Sequence, residues 1–321
     1  MKNKEIIFVA SGDIDIPPKG YGAVEDIIWN YKIFLEKNGF NVKIVNTKNI
    51  LKLIKETVFV KHKIIHFHYE PYLIISYLLN RLFFRNNKIV FTCHNGYLVN
   101  NKETFSFKII AKIISFFKKA NMISISPLME KYFVSKGFKG KKYIIQNGID
   151  TYKFKQYKNP TKDIIYLGNI NKNKGQERLL NHYNLENTID FVGPYIDKTI
   201  DLKNHNYLGI WGKREVFEKL GNYKILVLLT KSEGDPLVIK EALSAGCSIL
   251  TSKIGGVNLE ENEFIKIIDI ENKEELKKIN TYIKKLLENN SKNRKKIIEY
   301  SKKFDWENII KEYKKVLYSI I

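Results

Sequence analysis

The feature that most constrains this chain is a regular alternation of short apolar runs with longer amphipathic segments. The run "EIIFVAS" (Glu5–Ser11) is almost continuously apolar and reads as a strand covered on both faces. The next segment, "AVEDIIWNYKIFLEKNGF" (Ala23–Phe40), carries apolar residues at helical spacing and stops near Gly39. Strand, helix and strand in that order form the βα unit of a parallel sheet. "NVKIVN", "KIIHFHY", "KIVFTCH" and "MISISP" repeat the pattern, and "KYIIQNGID" (Lys142–Asp150) closes the set. The lysine-rich stretch "TYKFKQYKNPTK" (Thr151–Lys162) has neither period and is expected to be a linker. The alternation restarts with "DIIYLGNINKNKG" and runs through "TIDFVGPY", "YKILVLLT" and "CSILTS" to "FIKIID". A basic amphipathic helix is expected over Lys273–Lys303, and a last one over "DWENIIKEYKKVLYSII". The fold class is therefore α/β: two similar halves of about 150 residues, each a parallel sheet, with a cleft between them. In such sheets ligands bind beyond the C-terminal ends of the strands, which makes the cleft the expected site.

Composition narrows the setting. With 44% hydrophobic and 13% aromatic residues, the chain of 321 can build sizeable cores and is not intrinsically disordered. Its 55 basic and 34 acidic residues leave a net charge of +21, a field that favours nucleotides, nucleic acid or an acidic membrane. A coding bias toward Lys, Asn and Ile would give the same charge, so charge alone identifies no partner. Two cysteines, Cys93 and Cys247, both within apolar segments, fit a reducing compartment without a disulfide framework. "MKNKEIIFVASGD" reads as a first strand and not a signal peptide, and "YLIISYLL" (Tyr72–Leu79) is too short to span a bilayer. The expected location is cytoplasmic, at most peripheral on a membrane surface.

Chemistry concentrates in "SEGDPLVIKEALSAGCSILTSKIGGV" (Ser232–Val257). Asp235 is expected to cap a helix with Pro236 at its first position, running to about Ala245 with Gly246 as the left-handed residue after it. Glu233 then lies in the loop before the helix and Glu241 inside it, so they are not a same-face pair. The free N–H groups of the first turn favour an anion such as a phosphate, a loop carboxylate beside it can hold sugar hydroxyls, and one further along can reach a ribose. A capped helix with Glu241 solvated is the competing reading. "LGNINKNKG" (Leu167–Gly175) adds a strand and a tight loop that place Lys174 at the mouth of the same cleft, where it could neutralise a diphosphate.

These residues resemble family 4 of the retaining glycosyltransferases, enzymes of the GT-B fold with an E-x7-E signature. The likeness extends to "PPKGYGAVEDIIWNYKIFLEKNGFNVKIV", "IIHFHY", "VFTCHNG", "SISPLMEKYF", "IIQNGIDTYKF", "FVGP" and "FDWENI", in the family's order. It implies an acceptor-binding Rossmann-like domain over 1–150, a linker over 151–162 and a nucleotide-sugar-binding Rossmann-like domain over 163–302. Residues 303–321 would form a helix that returns to the N-terminal domain. It also implies roles: Glu233 on the donor sugar, Glu241 on the ribose, Lys174 on the diphosphate, Gly22 bringing backbone to the phosphate, and His94 on the sugar near the reacting carbon. The first turn of the helix, with Leu237 and Val238, would face the phosphates. The donor would be a nucleotide-diphosphate sugar, by the family's habit UDP-hexose, and no metal cofactor is implied. Transfer would be to a glycan or lipid-linked acceptor in cell-surface polysaccharide or glycoconjugate synthesis.

Two positions depart from the family. Asn169 stands where an arginine is usual, leaving the diphosphate to Lys174, helped by Lys172. Asp235 stands at a commonly apolar position and would add negative charge near the phosphates. Two other readings compete for the whole: a GT-B-like sugar-nucleotide epimerase, and a basic module without catalysis that binds an anionic membrane or nucleic acid. Nucleic acid is not the expected partner. "DID" (Asp13–Asp15) lacks the setting of a metal-binding D-x-D, and "HFH" (His66, His68) reads as structural histidines. In "FKIIAKIISFFKKA" (Phe107–Ala120), Lys108, Lys112, Ser115 and Lys119 form a polar stripe opposite Ile110, Ile113, Ile114 and Phe117. That helix either packs on its own sheet with a lysine-rich solvent face or lies in an anionic interface.

Overall fold

The computed structural model describes residues 5–19, 22–96 and 104–320. The chain divides into two compact units, Met1–Gly148 with Trp306–Ile321, and Ile149–Asp305. In chain order the first unit contains β1 (Glu5–Ala10), α1 (Ala23–Lys37), β2 (Asn41–Asn46), α2 (Ile50–Thr57), β3 (Ile64–Phe67) and α3 (Glu70–Leu82). It continues with β4 (Lys88–Phe91), α4 (Phe105–Ser115), β5 (Asn121–Ser124), α5 (Pro127–Ser135) and β6 (Lys141–Ile144). The second unit contains β7 (Lys162–Leu167), α6 (Gln176–Leu180), β8 (Ile189–Val192), β9 (Asn206–Tyr207), α7 (Lys213–Lys219) and β10 (Tyr223–Leu228). Then come α8 (Leu237–Ser244), β11 (Ser248–Ser252), β12 (Ile265–Ile268), α9 (Lys273–Lys277) and α10 (Ile279–Ser301), before α11 (Trp306–Ile320) rejoins the first unit.

Each unit is built on a six-stranded sheet, in the order β2-β1-β3-β4-β5-β6 and β12-β11-β10-β7-β8-β9. Every pairing is parallel. The apolar runs are central strands: Ile6, Ile7, Phe8 and Val9 are fully buried, as are Leu226, Val227 and Leu228 of β10. Strand order reverses between β1 and β3 in one unit and between β7 and β10 in the other. The loops leaving such a pair diverge to opposite faces and open a crevice at the C-terminal end of the sheet, so these two points are where each unit can hold a ligand.

α11 returns to the first unit because its sequence places Trp306, Ile309, Ile310, Tyr313, Val316, Leu317 and Ile320 on one buried face. Trp306 meets Tyr31 of α1 edge-on with ring centroids 5.1 Å apart, and the Tyr313 hydroxyl is 2.9 Å from His66 Nδ1. Burying each such side chain contributes about 2 kcal/mol.

Three local expectations give way. The stretch after Asp150 is not free: Thr151–Lys153 is a 3-10 turn, Phe154 is buried in the second core, and Arg294 Nε donates to Tyr157 O at 2.6 Å. The helix expected over Lys273–Lys303 is broken at Lys278 into α9 and α10, where Asn280 ties the start of α10 to His182 O at 2.8 Å. On α4 the buried side chains are Ala111, Ile114 and Ser115, so Ser115 leaves the expected polar stripe, and Phe105, Ile109, Ile113 and Phe116 are exposed beside Lys108 and Lys112.

Candidate active site

The switch point of the second unit carries the loop after β7 and the loop after β10, and both are held rigidly. Tyr166, buried in β7, donates its hydroxyl to Lys174 O and accepts the Leu229 N–H at 2.9 Å. Burial pushes the Tyr166 pKa up, so the phenol stays protonated and keeps both bonds. Lys231 N–H donates to Asn173 O at 2.8 Å, a second tie between the loops. Asn171 Oδ1 accepts the Lys174 N–H at 3.0 Å, and Gln176 Nε2 donates to Asn169 O at 2.9 Å, closing the first loop on itself. Gly175, at φ +92°, is where the loops touch: a Cβ there would run into Leu229 O and Arg178 Nη1, so only glycine fits.

This framework brings Lys174 and Glu233 together as a half-buried ion pair. Asn169 and Lys172 are exposed on the first loop. Leu237 and Val238 form the first turn of α8, and Glu241 sits further along it, half-buried. The far end of α8 is anchored. Gly246 N–H donates to Leu243 O and Cys247 N–H to Ala242 O, at 3.0 and 2.8 Å, around a left-handed Gly246. Buried Arg294 donates to Ala245 O at 2.9 Å and Gly246 O at 3.0 Å, a fixed cation where the helix dipole is negative. The opposite end keeps its first N–H groups uncapped by any side chain, beside Lys174 and Glu233 in the adjoining loops. A cation, a paired carboxylate and a helix N-terminus at one strand switch can together receive an anionic group and hold hydroxyls next to it.

Asp235 behaves otherwise than expected. Pro236, not Asp235, is the N-cap, and among the described residues no side chain caps the helix. The Asp235 carboxylate turns inward to the Lys240 ammonium at 2.6 Å and accepts from Asn258 Nδ2 at 2.9 Å. With side chains 1% and 2% exposed, the two form a buried ion pair behind the site. Asp235 therefore adds no free charge beside a bound phosphate. Its unusual partner is Lys240, whose ammonium lies 5.0 Å from the Phe304 ring centre and whose pKa burial lowers. Sequence reasoning passed over Lys240 although it lies five residues from Asp235, an i, i+5 spacing that no helix-surface rule singles out.

Gly22 and His94 belong to the first unit. Gly22, at φ +137°, immediately precedes α1, and the neighbouring Gly20 and Tyr21 lie outside the described residues. His94 stands just past β4 and bonds His68 across 2.9 Å, His94 Nε2 to His68 Nδ1. The histidines of "HFH" thus differ. His66 is held by Tyr313 and Thr92, each at 2.9 Å, whereas His68 touches the candidate His94. Burial lowers all three: His66 to about 3, His94 to about 4, and His68 well below its ordinary value. They are neutral at physiological pH, so each ring can both give and take a hydrogen bond. Glu70, at the start of α3, was not singled out by the sequence; burial raises its pKa, and it hydrogen-bonds Cys93 next to His94. Asp13 of "DID" is exposed and paired with Lys48 at 2.9 Å.

Family descriptions cover both units: "Glycosyltransferase Family 4" matches residues 6–153, and "Glycosyl transferases group 1" matches residues 149–304. The chain belongs to family 4 of the GT-B glycosyltransferases. Solved structures share its fold over nearly their whole length. Sucrose-phosphate synthase from Thermosynechococcus elongatus superposes with a TM-score of 0.77 at 15% identity, covering 99% of each chain. Anabaena Alr3699/HepE, solved in complex with UDP and glucose, gives a TM-score of 0.71 at 16% identity, over 99% of this chain and 100% of that one. The lipopolysaccharide outer core galactosyltransferase WaaB in its apo form gives 0.71 at 14% identity, again over 99% and 100%. At such identities the likeness establishes the GT-B fold. Among curated protein sequences none matches this family member.

Proposed function

We propose that this family 4 protein is a retaining glycosyltransferase that moves a hexosyl unit from UDP-hexose to a glycan or lipid-linked acceptor. The observation that carries the reading is the Lys174–Glu233 pair at the β7/β10 switch, beside the open N-terminus of α8. In the free protein the two side chains neutralise one another. With donor bound, Lys174 turns to the diphosphate and Glu233 accepts from sugar hydroxyls, while Glu241 takes the ribose. The bond between the anomeric carbon and the diphosphate oxygen breaks as the acceptor hydroxyl attacks the same face, and its proton passes to the departing diphosphate. Lys174 and the first amides of α8 stabilise that charge without a metal; His94, neutral and oriented by His68, hydrogen-bonds the sugar. A structure of Alr3699/HepE holding UDP and glucose supports a uridine donor for this fold.

The acceptor reading rests on α4. Phe105 and Phe116 are 79% and 67% exposed, Ile109 and Ile113 lie between them on the same side, and Lys108 and Lys112 are exposed alongside. An apolar stripe flanked by lysines on a chain of net charge +21 suits the anionic inner face of a membrane, where polysaccharide precursors are lipid-linked. No helix among the described residues is long and apolar enough to cross a membrane.

A panel of nucleotide sugars screened by thermal shift tests the donor: UDP-hexose at a hundredfold its Kd should add about 2.7 kcal/mol. Retention is read from the anomeric configuration of the NMR-observed product, and turnover in EDTA tests the metal. Free epimerised sugar nucleotide appearing without acceptor would sink the transferase reading. Flotation equal on acidic and neutral vesicles would remove the membrane from it.

A further inference from the structure

The first unit has a cavity at the end of its sheet opposite His68 and His94. It has a volume of about 530 Å³ and opens at the N-terminal ends of the strands, where Ile64 of β3, Lys88 of β4, Asn121 of β5 and Lys141 of β6 line it. Its walls carry Arg81, Arg85, Lys88, Lys118, Lys119 and Lys141, with no aspartate or glutamate among the described lining residues. Elsewhere in this chain lysines near the ends of strands find carboxylates, as Lys162 finds Asp190 and Lys224 finds Asp163. Among the described residues none of the six cations around this cavity has an ion-pair partner. Arg85 goes further: its Nε is buried and has no hydrogen-bond partner among the described residues. Six like charges around one concavity repel one another, and a bound anion is what relieves them.

Backbone and surface agree with this. His62, which lines the cavity, and Phe84, which precedes Arg85, hold left-handed conformations at φ 58° and 50°, which side chains of this kind rarely adopt. Between Arg81 and Arg85 the chain exposes Leu82, Phe83 and Phe84, and Phe116 is exposed two residues before Lys118. The mouth thus joins bare cations to bare apolar side chains, the two halves of a phosphorylated amphiphile.

We propose that this cavity is an anion site that takes a phosphate or diphosphate group, carried by a lipid headgroup or by a soluble ester. Arginine supplies paired donors matched to phosphate oxygens, lysines supply charge, and the apolar rim gives acyl chains a surface to lie on. The site goes beyond glycosyl transfer and uses no residue assigned to donor binding or to the reacting groups.

The test compares the parent protein with Arg81→Gln/Arg85→Gln/Lys88→Gln and with Lys284→Gln/Lys285→Gln/Lys292→Gln, three exposed lysines of α10 whose removal changes net charge equally. One arm measures co-sedimentation with phosphatidic acid vesicles against phosphatidylcholine vesicles at physiological salt. The other titrates each protein with pyrophosphate by calorimetry. The pocket variant should bind acidic vesicles on the order of a hundredfold more weakly, at about fivefold for each of the three cations removed near an anionic surface. The α10 variant should stay within about threefold of the parent. Loss of a pyrophosphate-binding component in the pocket variant, with vesicle binding absent throughout, supports the same site with a soluble ligand. Lys118→Gln/Lys119→Gln, two exposed lining residues just before β5, should weaken the same binding in a fold left intact. Equal losses in the pocket and α10 variants, or no binding in either arm, would overturn the proposal.

Discussion

Replacing Asp235 by alanine isolates what the buried ion pair does. Lys240 would remain with its side chain 2% exposed and its nearest carboxylate gone. Burial already lowers its pKa from 10.5, with Asp235 acting in the opposite direction. Without that carboxylate the ammonium loses its proton sooner than stay charged in the interior. At pH 7.5 releasing a proton from a group whose unfolded value is 10.5 costs three units, about 4 kcal/mol at 1.36 per unit. The sign follows from linkage: the unfolded chain binds one more proton than the folded variant, so stability rises with pH up to 10.5. The proton-linked part of the cost of Asp235→Ala should therefore fall to about 1.4 kcal/mol at pH 9.5.

Hydrogen exchange of the α8 amides, measured across that range, reads the second unit directly and does not require the whole chain to unfold in one step. Lys240→Met added to Asp235→Ala should abolish the pH dependence and leave the double variant within about 2 kcal/mol of the parent. Its residual cost comes from the lost Asn258 bond, worth about 1 kcal/mol, and the space vacated. Lys240→Met alone should cost roughly 3–5 kcal/mol, because it strands the carboxylate instead. A cost for Asp235→Ala below about 1 kcal/mol at pH 7.5, or one that does not change with pH, would refute the reasoning.

Three further outcomes are expected. Lys174→Ala should lower kcat on the order of a hundredfold or more, about 3 kcal/mol of transition-state stabilisation, with the far-UV spectrum unchanged; near-normal turnover would remove Lys174 from the leaving-group site. Asn169→Arg should raise kcat/KM by about tenfold, since its exposed side chain leaves room for a guanidinium and a fork of donors suits a diphosphate; an unchanged or lower value would show that this loop points the residue away. Buried neutral histidines make the first unit acid-sensitive: with His66 at about 3 against 6.5 unfolded, its contribution is complete above pH 6.5 and lost as pH falls toward 3. Between pH 6.5 and 5 that is about 2 kcal/mol, read as faster exchange of the β3 amides, and His66→Gln should flatten the slope by about one proton.

Much of the fold was legible because its determinants are local in sequence. A buried parallel strand needs several consecutive apolar residues, and nearly every strand here has them; β9, two residues with both exposed, does not and was missed. The E-x7-E stretch was legible for a similar reason: a helix start and a Gly246 end are written in neighbouring residues, and they fix Glu233 in a loop and Glu241 on a helix. What the sequence could not show is where polar groups go once the chain is compact. Asp235 looked like a cap because cap preference is a property of an isolated helix, but burial offered it an ammonium, and a buried carboxylate gains more from an ammonium than from amides already free to meet a ligand. Arg294 lies about fifty residues beyond the helix it anchors, and only the folding of α10 against β10 and β11 brings it there. His68 looked structural because alternation put it beside His66 on one strand face; its bond to His94 depends on how β3 and β4 pair. On α4 the error was geometric, for a helical stripe drawn from sequence has no knowledge of which side meets the sheet. The residues that sequence misplaced are thus polar or amphipathic ones whose partner is chosen by the fold; Asp235 lies two residues from Glu233 in the chain, and His68 bonds His94. The two departures from the family then differ in kind. Asp235 is compensated within the protein by Lys240, whereas the exposed Asn169 side chain has no such substitute among the described residues, so under the proposed function any loss of leaving-group stabilisation falls on Lys174, helped by Lys172.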